Sequence, residues 1–287
     1  MSTTVANNDV HIATSIQEAA AMLADLGDEG DAIAGGTWIM RAPLRDVPVR
    51  RQYVALKQIP ELSGIAVGDS VDIGAMATHS DLGTIEAGPA FSGIRDAAAR
   101  SAFPQVRNVA TVGGNIRAVG FAEADLVPAM LAAQVRLGLT SPDGTAEEGI
   151  GDYLATRDAR PAGEIISRVR VPTPEGRASA FERLTVRATG EYPIVNVAVS
   201  VDIDNDVVRD ARVAVGSVEP VAKLCMSAAN ALIGHRIGDA AATEAAGAEA
   251  AGELTARDGL DAPAWYRLAV LPTLIRRAIA RIDSGSD

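Results

Sequence analysis

Two apolar runs in the sequence end in the same way, in a pair of glycines followed by a small polar residue. The first is DAIAGGT at residues 31–37, and the second is RNVATVGGN at residues 107–115. Glycine allows backbone conformations that other residues avoid, and it lacks the Cβ that would hold a ligand away from the backbone. Because consecutive N–H groups in such a turn form an anion site, the segments are either two tight turns or two loops that bind one diphosphate.

The residue types present favour chemistry carried by an organic cofactor or by a partner chain. With a single cysteine, Cys225, and three scattered histidines, the sequence offers no disulfide, no cysteine-ligated cluster and no HExxH zinc pattern. Carboxylates would have to hold any metal, but no DxDxDG-type loop occurs. The GxSxG, GxxxxGKS and GxGxxG patterns are missing as well. We therefore expect no catalytic residue and no metal ligand in this chain.

The net charge of −11 limits the partners of the chain. It argues against nucleic acid and against an anionic membrane surface. No apolar run approaches the ~20 residues that a membrane-spanning helix requires, and the first residues lack the basic and apolar regions of a secretory signal. A cytoplasmic location is therefore expected, and any phosphorylated ligand would be bound largely by backbone N–H groups.

The apolar pattern predicts an α+β chain in two parts, divided at a Pro/Gly-rich segment over residues 172–176. Predicted elements of the first part are a helix that Gly27 ends, strands at 32–34, 52–56 and 134–139, a hairpin over 65–78, and helices at 91–102 and 124–133. Those of the second part are strands at 178–184, 194–203 and 207–215, then helices at 221–233, 240–254 and 263–282. Strands followed by helices predict a sheet with helices packed on one face.

Together the two glycine segments resemble the FAD-binding subunit of the molybdenum hydroxylases, the family of xanthine dehydrogenase and aerobic carbon monoxide dehydrogenase. Other parts of the chain are similar to further family segments: residues 74–82 (GAMATHSDL), 181–198, 211–218 and 266–278. The resemblance implies a two-lobed FAD-binding domain of the vanillyl-alcohol-oxidase-like type over residues 1–172, with its subdomains meeting near residue 56. A C-terminal α+β domain over 177–287, an antiparallel sheet with helices, would follow.

The resemblance also assigns cofactor contacts within the two segments. Backbone and hydroxyl groups would wrap the FAD diphosphate from two sides: Ala34, Gly35, Gly36, Thr37, Thr111, Gly113, Gly114 and Asn115. Trp38 would pack on the flavin or anchor the first loop. Tyr192 matches an aromatic position beside the isoalloxazine in some members, with a core tyrosine as the alternative.

Three further positions match cofactor contacts of the family. Ile166 would line the adenine side or be an ordinary strand residue, and Arg183 would approach the cofactor or lie exposed on a strand. Asp125 matches an acidic residue that contacts the cofactor; its alternative is a charge that the helix dipole favours at an N-terminus. The loop between Asn115 and Asp125 is one residue longer than is usual in the family, so either the loop carries an insertion or Glu123 makes the contact.

The resemblance implies partner chains as well. A small chain would carry two [2Fe–2S] clusters and a large chain the molybdenum cofactor, in a dimer of heterotrimers. FAD on this chain would take electrons from the small chain and pass them to NAD, a quinone or O₂. The alternatives are a stand-alone FAD oxidoreductase and a non-catalytic nucleotide-binding module that has lost the flavin. His79, although it fits a family segment, receives no chemical role.

Overall fold

The computed structural model describes residues 9–187 and 190–285, which form three β-sheets and the helices around them. The strands are β1 (Asp9–Ile12), β2 (Gly30–Ile33), β3 (Gln52–Ala55), β4 (Ile65–Val67), β5 (Ser70–Gly74), β6 (Arg136–Ser141), β7 (Gly144–Gly149), β8 (Ile165–Pro172), β9 (Arg177–Leu184), β10 (Val195–Asp204), β11 (Val207–Gly216) and β12 (Lys223–Leu224). The α-helices are α1 (Ile16–Leu26), α2 (His79–Leu82), α3 (Ser92–Arg100), α4 (Pro104–Arg107), α5 (Val112–Arg117), α6 (Leu126–Ala132), α7 (Ile150–Thr156), α8 (Met226–Asn230), α9 (Ala240–Glu253) and α10 (Ala264–Ser284). Short 3₁₀ helices lie at Gly27–Glu29, Ile39–Arg45, Pro60–Leu62, Pro89–Phe91 and Arg157–Ala159.

The N-terminal sheet is parallel, in the order β1-β3-β2. Its first crossover is α1, which begins where predicted because the Ser15 hydroxyl accepts a hydrogen bond from Glu18 N at 3.2 Å. The helix ends at Gly27, whose φ of +51° favours glycine. β2 is the edge strand that ends at Ile33, so the chain passes from this edge of the sheet directly into the first glycine segment.

The middle sheet is antiparallel, in the order β4-β5-β8-β6-β7. β8 joins the hairpin β4–β5 to the hairpin β6–β7, and all three central strands contribute to one core with α1 and α6. After β5 the chain stays close to β8, because Ala75 N donates to Ser167 O at 3.1 Å. The second glycine segment packs here, against residue 75.

The C-terminal sheet is antiparallel, in the order β12-β11-β10-β9, and both of its faces are buried. Large residues alternate along β10 and join a core with α9 and α10: Val195, Val197, Val199 and Val201. The small residues between them point the other way, and Ala198 joins the core of the preceding part, where α3 packs on β9 and α6 on β10 and β11. The prediction of a sheet with helices is confirmed, but helices cover two faces rather than one.

The helix predicted over residues 221–233 is wrong over half its length. Residues 223–224 pair with β11 as a short strand, and Cys225 N donates to Val213 O at 2.8 Å. The α-helix is limited to Met226–Asn230. Pairing with a neighbouring strand thus overrides a sequence pattern that local propensity favours as helix. Within residues 9–187 and 190–285, no helix is both long and apolar enough to cross a membrane.

Candidate functional site

The first glycine loop, residues 34–37, has unused backbone donors. It follows β2 and leads into the 3₁₀ helix Ile39–Arg45, and Gly36 holds a φ of +70°. Among the hydrogen bonds of the described part of the chain, none is donated by the N–H groups of Gly35, Gly36 and Thr37. The loop is half-buried. Adjacent N–H groups without partners are available to bind an anion, which is what the sequence analysis expects of this loop.

The two glycine segments lie in direct contact. A Cβ placed on Gly35 would lie 1.7 Å from the carbonyl oxygen of Val109, two residues before the second glycine loop, residues 111–115. Only glycine permits this approach, because any side chain at position 35 would overlap the backbone of the other segment. The pairing proposed from the sequence is therefore a spatial one.

The second glycine loop differs from the turn expected from its glycines, because it is the first turn of helix α5. Thr111 is the N-cap, and its Oγ1 accepts a hydrogen bond from Gly114 N at 3.2 Å. Val112 N donates to Ala77 O at 2.9 Å, Gly113 N to Ala75 O at 2.8 Å and Asn115 N to Thr111 O at 2.9 Å. These backbone donors are thus satisfied within the chain.

Two groups of the second loop remain available to a ligand. Gly114 is exposed. A Cβ on it would lie 2.8 Å from the Thr111 hydroxyl oxygen, and apart from its own helical backbone no other atom of the described residues would lie within 4 Å. Asn115 is buried, and its Oδ1 has no hydrogen-bond partner in the described structure. Gly113 packs against Ala75, where an added Cβ would lie 2.8 Å from the Ala75 Cβ. The second loop therefore offers an open backbone surface and a side-chain acceptor rather than free N–H groups.

An aromatic cluster of Trp38, Phe121 and Tyr192 lies beside the first loop. The rings of Trp38 and Phe121 stack with centroids 4.3 Å apart, and Tyr192 meets Phe121 edge-on at 5.4 Å. Trp38 Nε1 donates to Val119 O at 3.1 Å, so Trp38 anchors the first loop to the chain after α5. Tyr192 is 40% exposed, which does not fit the alternative of a core tyrosine.

Two arginines accompany the aromatic cluster. The Arg41 guanidinium donates to the Tyr192 hydroxyl at 2.8 Å, and that of Arg45 lies 3.7 Å from the centroid of the Trp38 ring. Burial raises the pKa of Tyr192 above its ordinary value, so its hydroxyl stays protonated. Sequence reasoning missed Arg41, Arg45 and Phe121. The available signal was the group of arginines over residues 41–51 in a chain of strongly negative charge.

Asp125 contacts the C-terminal sheet. Its Oδ1 lies 3.2 Å from Nε of Arg183 and accepts a hydrogen bond from Asn196 Nδ2 at 3.2 Å. Burial raises the pKa of Asp125 to about 6, although Arg183 and Asn196 act in the opposite direction. Its side chain makes no capping hydrogen bond to α6. Glu123 instead pairs with Arg257.

The structure buries the two remaining predicted residues. The Arg183 side chain is 7% exposed and donates to the carbonyls of Arg100 and Glu191, which excludes the exposed arginine considered from the sequence. Ile166 lies on β8 opposite Leu139, in the core of the first part. It is next to Ser167, whose carbonyl holds Ala75 beneath the second loop. Neither residue is thereby placed against a ligand.

Taken together, the arrangement fits a diphosphate joined to an aromatic ring system. Free N–H donors of the first loop suit phosphate oxygens, the glycines leave room for them, and the unpartnered Asn115 Oδ1 suits a ligand donor. The aromatic cluster adjoins the same loop. These features are what FAD requires of a protein.

Comparison with known proteins agrees with this geometry. Residues 5–174 match the family model described as FAD binding domain in molybdopterin dehydrogenase, and residues 179–282 match the CO dehydrogenase flavoprotein C-terminal domain. The chain is 30% identical to the carbon monoxide dehydrogenase medium chain of Afipia carboxidovorans, over 95% of this chain and 96% of the relative. It is also 30% identical to the 6-hydroxypseudooxynicotine dehydrogenase complex subunit alpha of Paenarthrobacter nicotinovorans, over 95% and 93%.

Solved structures give the same answer. A chain of the Cu,Mo-CO dehydrogenase superposes with a TM-score of 0.88 at 27% identity, covering 96% of this chain and 98% of that one. A chain of quinoline 2-oxidoreductase from Pseudomonas putida 86 superposes with a TM-score of 0.85 at 26% identity, covering 97% of each. With both family models matched in chain order, the chain belongs to the FAD-binding, or medium, subunits of the molybdenum hydroxylase family.

Proposed function

We propose that this chain is the electron-transfer subunit of a three-chain molybdenum hydroxylase. Its FAD would receive electrons from a chain with two [2Fe–2S] clusters and pass them to NAD, a quinone or O₂. The observation that carries the proposal is the close approach of Gly35 to Val109. It brings the first loop, with its three free N–H donors and the adjoining aromatic cluster, next to the segment that leads into the second loop.

Binding is the first task of the residues in this site. The N–H groups of Gly35, Gly36 and Thr37 would donate to the FAD diphosphate, and Gly114 would let the cofactor approach the second loop. The Asn115 amide would hydrogen-bond to the cofactor from the side of α5. Backbone donors suit this chain, because they bind an anion without adding a positive charge of their own.

Orientation and shielding are the second task. The aromatic cluster would contact the ring system, with Trp38 fixed through Val119 and Tyr192 through Arg41. When bound, FAD supplies the exchange between one-electron and two-electron transfer, and the protein sets its position and electrostatics. Arg41 and Arg45 would contribute positive charge at this side of the site, which would stabilise negative charge on the flavin ring system.

The remaining predicted contacts with FAD stay predictions, and each would have to replace or share an interaction that the residue already makes. Asp125 and Glu123 already pair with Arg183 and Arg257, so a contact from either carboxylate to FAD would have to share or replace that ion pair. Contact by Arg183 would likewise compete with its present partners. An adenine contact by Ile166 would require the cofactor to reach a strand that is now covered.

The partners proposed are a small iron–sulfur chain and a large chain with the molybdenum cofactor. Support comes from the relatives, one of which is named as a medium chain and another as a complex subunit. A dimer of heterotrimers and a cytoplasmic location stay predictions. The substrate would bind to the large chain, so the present chain sets the acceptor side of the reaction.

Purification from the native host tests the proposal. We expect copurification with two further chains, visible flavin absorbance, and bleaching of that absorbance when the substrate of the complex is added without an acceptor. Substrate turnover by the chain alone would instead support the stand-alone oxidoreductase. Failure to take up added FAD, in the purified complex or alone, would support the module that has lost the flavin.

A further inference from the structure

His79 is a buried histidine next to the second glycine loop. It is 3% exposed and begins helix α2. One ring nitrogen, Nδ1, lies 2.8 Å from the hydroxyl of Ser101, which follows α3. The other, Nε2, is buried without a hydrogen-bond partner in the described structure. A polar ring in this position requires an explanation, because burying an unpaired polar atom is unfavourable.

The segment around His79 fixes the approach to the second loop. His79 N donates to Ala110 O at 3.0 Å, and the Ser80 hydroxyl donates to Asn108 Oδ1 at 2.6 Å. Thr78 pairs with Thr111 in an isolated antiparallel bridge. We call residues 78–80 the clamp, since each of its members contacts the chain between positions 108 and 111.

The ring of His79 is neutral at ordinary pH. Burial lowers its pKa to about 4, and the positive charge of Arg107 acts in the same direction, whereas the backbone of Thr111 opposes it. The Ser101 hydroxyl donates to Ala98 O at 2.9 Å, so its oxygen is left to accept a hydrogen bond from Nδ1–H of His79. Arg107 in turn donates to the carbonyls of Ser101 and Ala102. The side chain therefore connects the clamp to the end of α3 as an uncharged support.

We propose that His79 is a positioning residue for FAD binding: its ring, fixed by Ser101, holds the clamp, whose contacts with residues 108–111 place Thr111 and the start of α5 where the second loop meets the cofactor. The inference rests on the proposed contact of that loop with FAD. Without the ring, the clamp would keep its backbone hydrogen bonds but lose its anchor to the end of α3. The N-cap and the glycines that follow it would then relax, and FAD would bind more weakly.

The test measures FAD affinity separately from stability. FAD dissociation constants are obtained by refilling flavin-free protein, purified with whichever chains accompany it, and melting temperatures are measured on the flavin-free form. We expect His79→Ala to weaken FAD binding about tenfold or more, the equivalent of about 1.4 kcal/mol. His79→Asn, whose amide N–H replaces Nδ1–H, should recover most of the affinity, and Ser101→Ala should give a smaller loss.

Leu274→Ala is the matched control, because Leu274 is buried in the core of the C-terminal part. It should lower the melting temperature and leave FAD affinity unchanged. If His79→Ala lowers the melting temperature alone, or if His79→Asn binds FAD as weakly as His79→Ala, the inference is overturned. Should His79→Ala fail to fold, Ser101→Ala decides, and unchanged affinity in that variant overturns the inference as well.

A further variant distinguishes failure of this inference from failure of the proposed function on which it rests. Gly114→Val places a branched side chain on the open surface of the second loop, and we expect it to abolish FAD retention. Full flavin content in folded Gly114→Val protein would remove the loop–FAD contact itself. If Gly114→Val loses FAD while the His79 and Ser101 variants keep it, the loop binds FAD but His79 does not position it.

Discussion

At the scale of single residues, Gly35 sets the distance between the two glycine loops. An added Cβ would lie 1.7 Å from Val109 O and 2.7 Å from the Val109 carbonyl carbon, both of them backbone atoms that cannot rotate away. We therefore expect Gly35→Ala to force the loops apart and to weaken FAD binding by about tenfold or more, a change of about 1.4 kcal/mol. Titration of flavin-free protein with FAD measures the effect.

Gly252→Ala is the control for the glycine substitution. Gly252 lies in α9, and apart from the backbone of its own helix no atom of the described residues lies within 4 Å of the position that an added Cβ would take. The change should therefore stabilise the helix by up to about 1 kcal/mol without altering FAD affinity. Unchanged affinity in Gly35→Ala would mean that the contact between the loops does not shape the cofactor site.

Asp125 gives the chain a pH dependence of known sign. Its folded pKa of about 6 lies above the ordinary value of 3.8, so the folded state keeps a proton that the unfolded state releases. Relative to Asp125→Asn, the wild-type chain should be most stable below about pH 4 and lose up to about 3 kcal/mol as the pH rises through 6. Urea unfolding of both proteins between pH 4 and 8 measures this difference. The exposed Asp143→Asn serves as the control, and parallel curves for wild type and Asp125→Asn would contradict the prediction.

Residue-level prediction from the glycine pairs succeeded in part. The first pair forms a loop with Gly36 at a φ of +70°, whereas the second pair lies in the first turn of α5. Phe121 and Arg41 could not be found in the same way, because their partners Trp38 and Tyr192 are distant in the sequence. A strand pattern alone favours an exposed arginine at position 183. Arg183 is buried because it pairs with Asp125, which is also distant in the sequence.

At the scale of elements, the second glycine loop carries two conflicting sequence signals, one for a turn and one for the start of a helix. Two adjacent glycines favour a turn, yet Thr111 three residues before Gly114 is an N-cap pattern, and the helix forms. The strand β1 was not predicted, since its side chains are mostly exposed and show no clean alternation. By contrast, the alternation of valines along β10 predicts that strand correctly, because each valine faces the same core.

Helix α10 depends on one fully buried arginine. Arg267 donates to the carbonyls of Arg257, Ile194 and Ser217 and pairs with Asp261. Arg267→Met should cost about 3 kcal/mol or more, because it leaves buried carbonyls without donors. Chemical denaturation measures the loss, and the exposed Arg276→Met on the same helix should stay within about 0.5 kcal/mol of wild type. Equal stability of the two variants would show that water replaces the arginine.

At the scale of the whole molecule, the C-terminal sheet is a shared layer. One face packs on α8 and α10, and the other contributes Phe181, Ala198 and Ala214 to the core of the first part. The predicted boundaries at residues 172 and 177 therefore divide the sequence into two parts, but residues from both sides of the boundary share one hydrophobic core. Sequence patterns predicted the two parts but not this contact, since small residues such as Ala198 carry no sign of what they pack against.

A shared layer predicts cooperative unfolding. We expect a single calorimetric transition for the full chain, because removing either part exposes an apolar face of the other. Ala198→Glu, which places a charge between β10 and α6, should lower the temperature of that whole transition. The matched change Ala241→Glu, at an exposed position in the first turn of α9, should leave it nearly unchanged. Two well-separated transitions in the wild-type chain would contradict this view.

The contact of Gly35 with Val109 bears on the order in which the chain folds and takes up FAD. The two loops are far apart along the chain, and the aromatic cluster adds Tyr192 from beyond the domain boundary. Contacts of such long sequence separation form late in folding, because the chain must lose the entropy of closing a long loop before these contacts can stabilise it. If the two loops and the aromatic cluster bind FAD as proposed, a nascent or partly folded chain lacks the complete site, and FAD would load into chains whose two parts have already packed together.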